Sequence, residues 1–245
     1  MTELKNAFGI ITGVAEGLGN KIARACAKEG MRLALMDIQA DKLMALVDEL
    51  KADGIDCLPI IVDLSDADQT HAAIQQALDY YGVPRVLIHN AAVLNERQFK
   101  DVTFEQWRTE IDIILQAAFI LSKAVWQPMI DAGGGSIIYI SSGSALKGFI
   151  KEAAYCPGKH GQEGLMKVLS MEGKPYNIAV NTVTTGAPID TPMSRGHYPD
   201  ELRQKWVDPV LLAPAFPWLA RKDASDMTGE RLDAYQISQS LSSSA

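Results

Sequence analysis

The chain has 245 residues, 47% hydrophobic and 22% charged, and 30 acidic against 23 basic side chains give a formal charge of −7. That composition excludes a disordered or fibrous chain, and the acidic balance without a long basic run argues against nucleic acid or an anionic membrane surface as a partner. No uncharged apolar run reaches the roughly 18–20 residues that span a bilayer, the longest, 113–122, stopping at Lys123. The N-terminus carries no basic-then-apolar targeting pattern. Cys26, Cys57 and Cys156 are too scattered for a disulfide framework, so a reducing cytoplasmic setting is expected.

Short apolar runs alternate with longer amphipathic stretches. Residues 7–12 read as a first strand, followed by a glycine turn and a helix over 18–29. A second strand over 32–36 leads to a helix over 41–52, where Leu43, Leu46, Val47 and Leu50 share one face. A third strand over 56–62 precedes a helix over 66–81, capped by Ser65 or Asp66. A fourth strand over 85–89 leads to a long helix over 103–129, apolar around much of its girth. A fifth strand spans 136–140, a glycine-containing helix 153–173 and a sixth strand 178–183. Residues 185–208, rich in Pro and Gly, read as a loop with one short helix at 200–206. A proline-interrupted helix over 209–220, a last strand over 231–237 and a frayed Ser-rich tail over 238–245 complete the chain. This alternation predicts a single α/β domain, doubly wound, with a parallel sheet of about seven strands and helices on both faces. Ligands of such sheets bind at the C-terminal strand ends.

The first strand ends in Thr12-Gly13-Val14-Ala15-Glu16-Gly17-Leu18-Gly19. Gly13 suits a turn with positive φ, Gly17 lets a pyrophosphate approach the backbone, and Gly19 lets the helix pack close to the sheet. The helix N-terminus offers N–H donors and partial positive charge to phosphates. Position between strand and helix is what raises this glycine pattern above an ordinary loop. Asp37 ends the second strand, 18 residues after Gly19. Its carboxylate suits both hydroxyls of an adenosine ribose and repels a 2′-phosphate, and Glu16 adds a second negative charge there. The expected cofactor is therefore NAD(H) rather than NADP(H). Asp63-Leu64, ending the third strand, serves either to meet an adenine amino group or to cap the next helix. Asn90-Ala91-Ala92, ending the fourth, leaves room for a ribose or simply packs.

Tyr155 and Lys159 lie four apart at the start of a predicted helix, on one face. Ser142, 13 residues before Tyr155, lies just past the fifth strand at the same sheet edge. A tyrosine of pKa near 10 is a poor base at neutral pH, but a neighbouring ammonium favours the tyrosinate. A serine hydroxyl can hold the substrate oxygen while the tyrosine moves the proton.

With these residues in view the chain resembles the short-chain dehydrogenase/reductase family over about residues 5–237. The likeness rests on the glycine turn, Asp63, Asn90-Ala91-Ala92, Ser142, Tyr155-xxx-Lys159, residues 181–186, Thr191-Pro192-Met193 and Thr228-Gly229. The resemblance implies a Rossmann-type fold and an oxidoreductase that interconverts a secondary alcohol and a ketone. It implies Ser142 as the substrate-orienting group, Tyr155 as acid/base, and Lys159 as ribose binder and modulator of the tyrosine. Gly186 occupies the family's Pro-Gly position, and Ile189 and Thr191 would meet the nicotinamide carboxamide or the diphosphate. It further implies a homotetramer, or a dimer, built on the long helices.

The chain also departs from the family pattern. Seven residues past Trp107, where the family carries an Asn that helps hold a relay water, stands Ile114. This motivates an alternative reading, a catalytically impaired nucleotide-binding sensor or scaffold of the same fold. His89 is expected to be packed or hydrogen-bonded, His71 solvated, His160 at a surface or interface, and Cys156 turned off the catalytic face. No metal-ligand spacing is evident. Phe104, Trp107, Phe119 and Trp126 are read as core or subunit-contact residues. The substrate pocket is expected between 93–94, 144–150 and 193–206. Leu146, Phe149, Ile150 and Trp206 would make it apolar, and Lys147, Arg195 and His197 are candidates for meeting an anionic substrate or are plain solvated residues.

Overall fold

The computed structural model describes residues 3–197 and 200–243. Seven strands form one sheet: β1 (Phe8–Thr12), β2 (Arg32–Asp37), β3 (Cys57–Ile61), β4 (Val86–His89), β5 (Gly135–Ile140), β6 (Ile178–Thr184) and β7 (Arg231–Asp233). Their order is β3-β2-β1-β4-β5-β6-β7, every neighbouring pair parallel. The near-continuous apolar composition of β1, β2, β4 and β5 has its reason here, since both faces of those strands are covered. One face carries α1 (Gly17–Lys28), α2 (Ala40–Ala52) and α8 (Ala215–Ala220), whose Ile22, Leu46 and Phe216 share a core with Ile11 and Leu35. The other carries α3 (Ala67–Tyr81), α5 (Ala117–Asp131) and α6 (Tyr155–Gly173), whose Ile74, Leu121 and Met166 pack with Ile10 and Tyr139. This is the expected doubly wound Rossmann-type arrangement. Strand order reverses between β1 and β4, which opens a crevice at their C-terminal ends.

The long helix is three pieces. α4 (Phe104–Ile111) opens on a capping box between Thr103 and Gln106. A π turn, Asp112–Gln116, follows, and then α5. The wider turn lets side chains from other elements claim its carbonyls: His89 Nε2 donates to Ile113 O at 3.0 Å and Gln162 Nε2 to Ile114 O at 2.7 Å. The glycines of α6 serve the same junction, because a Cβ at position 158 would come 3.1 Å from Ile114 Cγ2 and one at 161 2.5 Å from Leu115 Cδ2. The whole stretch Phe104–Asp131 is, by length and composition, apolar enough to cross a membrane. Its Ala117, Leu121, Val125 and Met129 are buried in the second core layer.

Several boundaries differ from expectation. The last strand stops at Asp233 rather than 237, because the Asp233 carboxylate accepts the Gln236 N–H and caps a new helix, α9 (Ala234–Ser243). The frayed tail is thus helical as far as Ser243, and buried Ser238 ties it to Leu212 O and Ala215 N; residues 244–245 lie outside the described residues. In the 185–208 loop the expected helix is a 3₁₀ segment, Asp200–Lys205, and α7 (Pro192–His197) precedes it. The sequence reading of this loop at 198–199, and that of the N-terminus at 1–2, also fall outside the described residues. Phe104 (67% exposed) and Phe119 (55%) are not core residues.

Candidate active site

A cavity of about 1170 Å³ runs along the C-terminal edge of the sheet from the first glycine turn to the 185–206 loop. At its nucleotide end Gly13 and Gly17 adopt φ of 69° and 60°, where L side chains are strained. A Cβ on Gly13 would also meet Ala91 Cα at 2.7 Å. Gly19 is not on the cavity wall. It lies beneath the turn, where a Cβ would sit 2.0 Å from Gly13 O, so it sets the close packing of α1. Glu16 holds the N-cap position of α1 with no capping hydrogen bond from its side chain, and pairs instead with Lys42. Leu18 faces the same space. An uncapped helix end beside a cradle that a Cβ would strain or fill fits the diphosphate of a dinucleotide.

Asp37 lines the cavity and is nearly buried. Its Oδ2 accepts the Ala15 N–H at 2.8 Å and its Oδ1 the Gln39 N–H at 2.9 Å, so the carboxylate also fixes the shape of the turn. Asp63 and Leu64 line the neighbouring wall. Asp63 does not cap α3; it accepts from Ser65 N and Oγ at 2.9 and 2.7 Å. The cap is Asp66, which accepts from Asp68 N and Gln69 N. Asn90 turns out to be a brace: its Nδ2 donates to Gly13 O at 2.8 Å and Thr12 O at 3.2 Å. Thr12 Oγ1 accepts from the N–H groups of Asn90 and Ala91, both at 3.1 Å. It stands 3.0 Å from His89 Nδ1. Because His89 Nε2 donates to a carbonyl, Nδ1 accepts the Thr12 hydroxyl proton, and the ring is neutral. Burial agrees, pushing its pKa down to about 4.

Toward the other end Ser142, Tyr155 and Lys159 all border the cavity. Ser142 Oγ accepts the Ser144 N–H at 3.2 Å. Lys159 is 2% exposed, and its Nζ lies 5.6 Å from the Tyr155 ring centroid. That Nζ donates to Ile140 O at 2.6 Å and Gln162 Oε1 at 3.1 Å. Desolvation lowers its pKa to about 7, and the Glu163 carboxylate acts in the opposite direction. Gly186, at φ 69°, together with Ile189 and Thr191, forms the opposite wall. Thr191 Oγ1 also accepts the Ser194 N–H at 3.2 Å.

A buried polar cluster behind Ser142 had escaped the sequence reading. Glu163 Oε1 accepts from Ser141 Oγ (2.5 Å) and Arg231 Nη1 (2.7 Å), and its Oε2 from Thr182 Oγ1 (3.0 Å). Arg231 Nη2 donates to Ser142 O at 2.8 Å, so an ion pair anchors the backbone of the serine. The legible signal was Gln162 and Glu163, three and four residues past Lys159 on one helix.

The substrate side is narrower than expected. Val93, Leu94, Met193 and Trp206 line it, with His197 and Lys205. Leu146, Phe149 and Ile150 are exposed and off the cavity wall. Arg195 is engaged by Asp190 through two hydrogen bonds, at 2.6 and 2.7 Å, and Lys147 lies over the Phe149 ring. Cys156 is turned toward Glu152 Oε2, at 3.2 Å, and burial raises its pKa. Among the described residues no group of His, Cys, Asp or Glu is arranged to hold a metal ion.

Comparison with known proteins agrees with this geometry. The family model for short chain dehydrogenases matches residues 8–202. The chain is 36% identical over 193 residues to the trans-4-hydroxycyclohexanecarboxylate dehydrogenase of Sinomonas cyclohexanicum, covering 76% of this chain and 74% of that protein. It is 30% identical over 242 residues to the acetoacetyl-CoA reductase of an Acinetobacter species, covering 95% and 96%. A blue fluorescent protein from a metagenomic library, solved with NADPH, superposes with a TM-score of 0.86 at 28% identity, covering 95% of this chain and 97% of that one. With the family motif spanning most of the sheet and the Tyr155/Lys159 pair at its edge, the chain belongs to the short-chain dehydrogenase family.

Proposed function

We propose that this protein is an NAD(H)-dependent oxidoreductase that interconverts a secondary alcohol and a ketone, with Tyr155 as acid/base. The observation that carries the reading is the buried Lys159 ammonium beside the Tyr155 ring, on a cavity continuous with the glycine turn. The nicotinamide supplies or accepts the hydride. Tyr155 exchanges the proton of the substrate oxygen, and Ser142 Oγ holds that oxygen by a hydrogen bond. Lys159 stabilises the tyrosinate by its charge. Glu163 and Arg231 keep the Ser142 backbone fixed, so the hydroxyl needs little reordering when substrate arrives. Tyr155 and Lys159 are themselves buried, which strengthens their interaction.

Asp37 and Glu16 support NAD(H) over NADP(H). Two carboxylates border the ribose end, and the Lys42 ammonium is already paired with Glu16. The apolar walls from Val93, Leu94 and Met193 suit a ring or a short acyl chain. The relatives named for a hydroxycyclohexanecarboxylate and for acetoacetyl-CoA are consistent with that range. Exposed Phe104, Phe119, Val168 and Met171 on α4, α5 and α6 support a homotetramer, or a dimer, through the long helices; light scattering that reports a monomer would refute it. Three free, buried cysteines are consistent with a cytoplasmic location.

The second reading, a nucleotide-binding protein that no longer turns over, draws on Ile114, whose side chain packs with Leu94 and Tyr155 and offers no polar group to a relay. Substituting Tyr155→Phe separates the two. Enzyme chemistry requires turnover to fall by about 10²–10⁴-fold with folding and NADH binding retained. Unchanged turnover removes Tyr155 from the mechanism.

A further inference from the structure

Gln162 and Ile114 are both wholly buried, and each breaks an ordinary expectation for its place. Gln162 is a polar amide on the inner face of α6, 0% exposed. Ile114 is an apolar side chain at a helix junction, packed against Tyr155 and Leu94 of the cavity wall. The amide has two partners. Its Oε1 accepts from Lys159 Nζ at 3.1 Å, and its Nε2 donates to Ile114 O at 2.7 Å. That carbonyl belongs to the π turn, and the neighbouring carbonyl, Ile113 O, is held by His89. The Ile114 side chain meanwhile fills the space against Gly158 and Tyr155.

We propose that Gln162 is a positioning residue: its amide bridges the Lys159 ammonium to the Ile114 main-chain carbonyl and so fixes the ammonium beside Tyr155 by direct contact. The inference rests on the roles given above to Tyr155 and Lys159. The bridge is directional. The carbonyl of Ile114 orients the amide, and the amide oxygen, the negative end of its dipole, faces the cation. A hydrogen bond to the charged form of a buried base favours that form. Besides the Ile140 main-chain carbonyl, which accepts from Nζ at 2.6 Å, the titratable and charged groups facing Lys159 are Tyr155 and Glu163 on its own helix and His89 at the end of β4, with Arg231 of β7 acting through Glu163. His89 is neutral across the working range, and Glu163 is shared with Arg231, Ser141 and Thr182. The side-chain acceptor in direct contact with the ammonium is therefore the amide of Gln162.

The test reads Lys159 itself and needs no substrate. The titration of the Lys159 Cε resonance is followed in apoprotein carrying ¹³C-lysine, with the signal assigned by its loss in Lys159→Arg. Gln162→Met keeps the length and removes the amide, whereas Gln162→Asn keeps an amide too short to span both partners. Both are expected to lower the Lys159 pKa by about one unit. A drop in melting temperature with the Lys159 titration unmoved means that Gln162 only packs, and overturns the proposal. Should neither variant fold, the wild-type protein decides. Its Gln162 amide protons are expected to be protected from exchange and to shift with the Lys159 titration, and freely exchanging, pH-insensitive protons overturn the bridge. With a substrate in hand, loss of the bridge should move the limb of alcohol oxidation up by about one pH unit and lower kcat about tenfold near neutral pH, with KM within about twofold. A shifted Lys159 titration with no turnover on any alcohol or ketone would leave the bridge standing and sink the enzymatic reading instead.

Discussion

Burial of Lys159 makes a stability prediction that is independent of substrate. Its pKa falls from 10.5 to about 7 in the fold. The group is a base with a lowered pKa, so the unfolded chain binds the extra proton between those values. Stability must then rise as pH climbs through that window, by at most about 1.4 kcal/mol per unit. Between pH 7.5 and 9 the ceiling is about 2 kcal/mol, and a contribution of about 1–2 kcal/mol is expected. His89, lowered to about 4 from 6.5, is nearly spent by pH 7.5, whereas Cys26 and Cys57, raised to about 12 and 11, begin to act in the opposite direction as pH nears their ordinary value of 9.0, a part that the reference variant shares. Urea unfolding at half-unit pH steps and one protein concentration measures the slope, with Lys159→Met as reference. The variant should lose the rise and be flat, or falling, across the window. Parallel curves would mean that Lys159 is hydrated in the fold, which would remove the ground for treating it as a buried ammonium poised beside Tyr155.

Three further outcomes follow from named contacts. Asp37→Ala removes the acceptor of the Ala15 and Gln39 N–H groups as well as a charge; NADH affinity should fall about tenfold or more and the preference over NADPH should narrow, as read by fluorescence titration, since each tenfold step needs only about 1.4 kcal/mol. Gly19→Ala drives a methyl to 2.0 Å from Gly13 O, so nucleotide binding should be lost with a melting temperature several degrees lower, and normal binding would contradict the packing role. Ile114→Asn puts an amide into the cluster of Leu94 and Tyr155; it should cost about 1–3 kcal/mol of stability and bring no gain in rate, because Gln162 already holds Lys159. A large gain would revive the view that the natural site is crippled.

The residues that had to be at strand ends were readable in advance, because period-2 and period-3.6 patterns locate the ends of elements and parallel strands bring those ends together. Gly13, Asp37, Ser142, Tyr155 and Lys159 fall on one cavity for that reason. What stayed hidden were pairings across long sequence distances. Nothing near Arg231 announces Glu163, 68 residues away, or the Ser142 carbonyl, 89 away. The last strand was overextended because residues 231–237 hold apolar side chains compatible with either period, and a single carboxylate, Asp233, decides for a helix by capping it. The roles of Asn90 and Gly19 were legible as positions but not as contacts. Both serve the shape of the glycine turn, one by hydrogen bonds to Gly13 O and the other by having no Cβ to strike that same oxygen.

The most direct test is a titration of the protein with NADH and NADPH, followed by a hydride-transfer assay against a panel of cyclic and short-chain secondary alcohols and ketones, run on wild type and Tyr155→Phe. Tighter NADH binding, turnover by wild type, and a loss of about 10²–10⁴-fold in the variant with binding intact are expected. Tight binding with no turnover across the panel, or equal turnover by both proteins, would contradict the assignment of Tyr155 as the acid/base of an alcohol–ketone oxidoreductase.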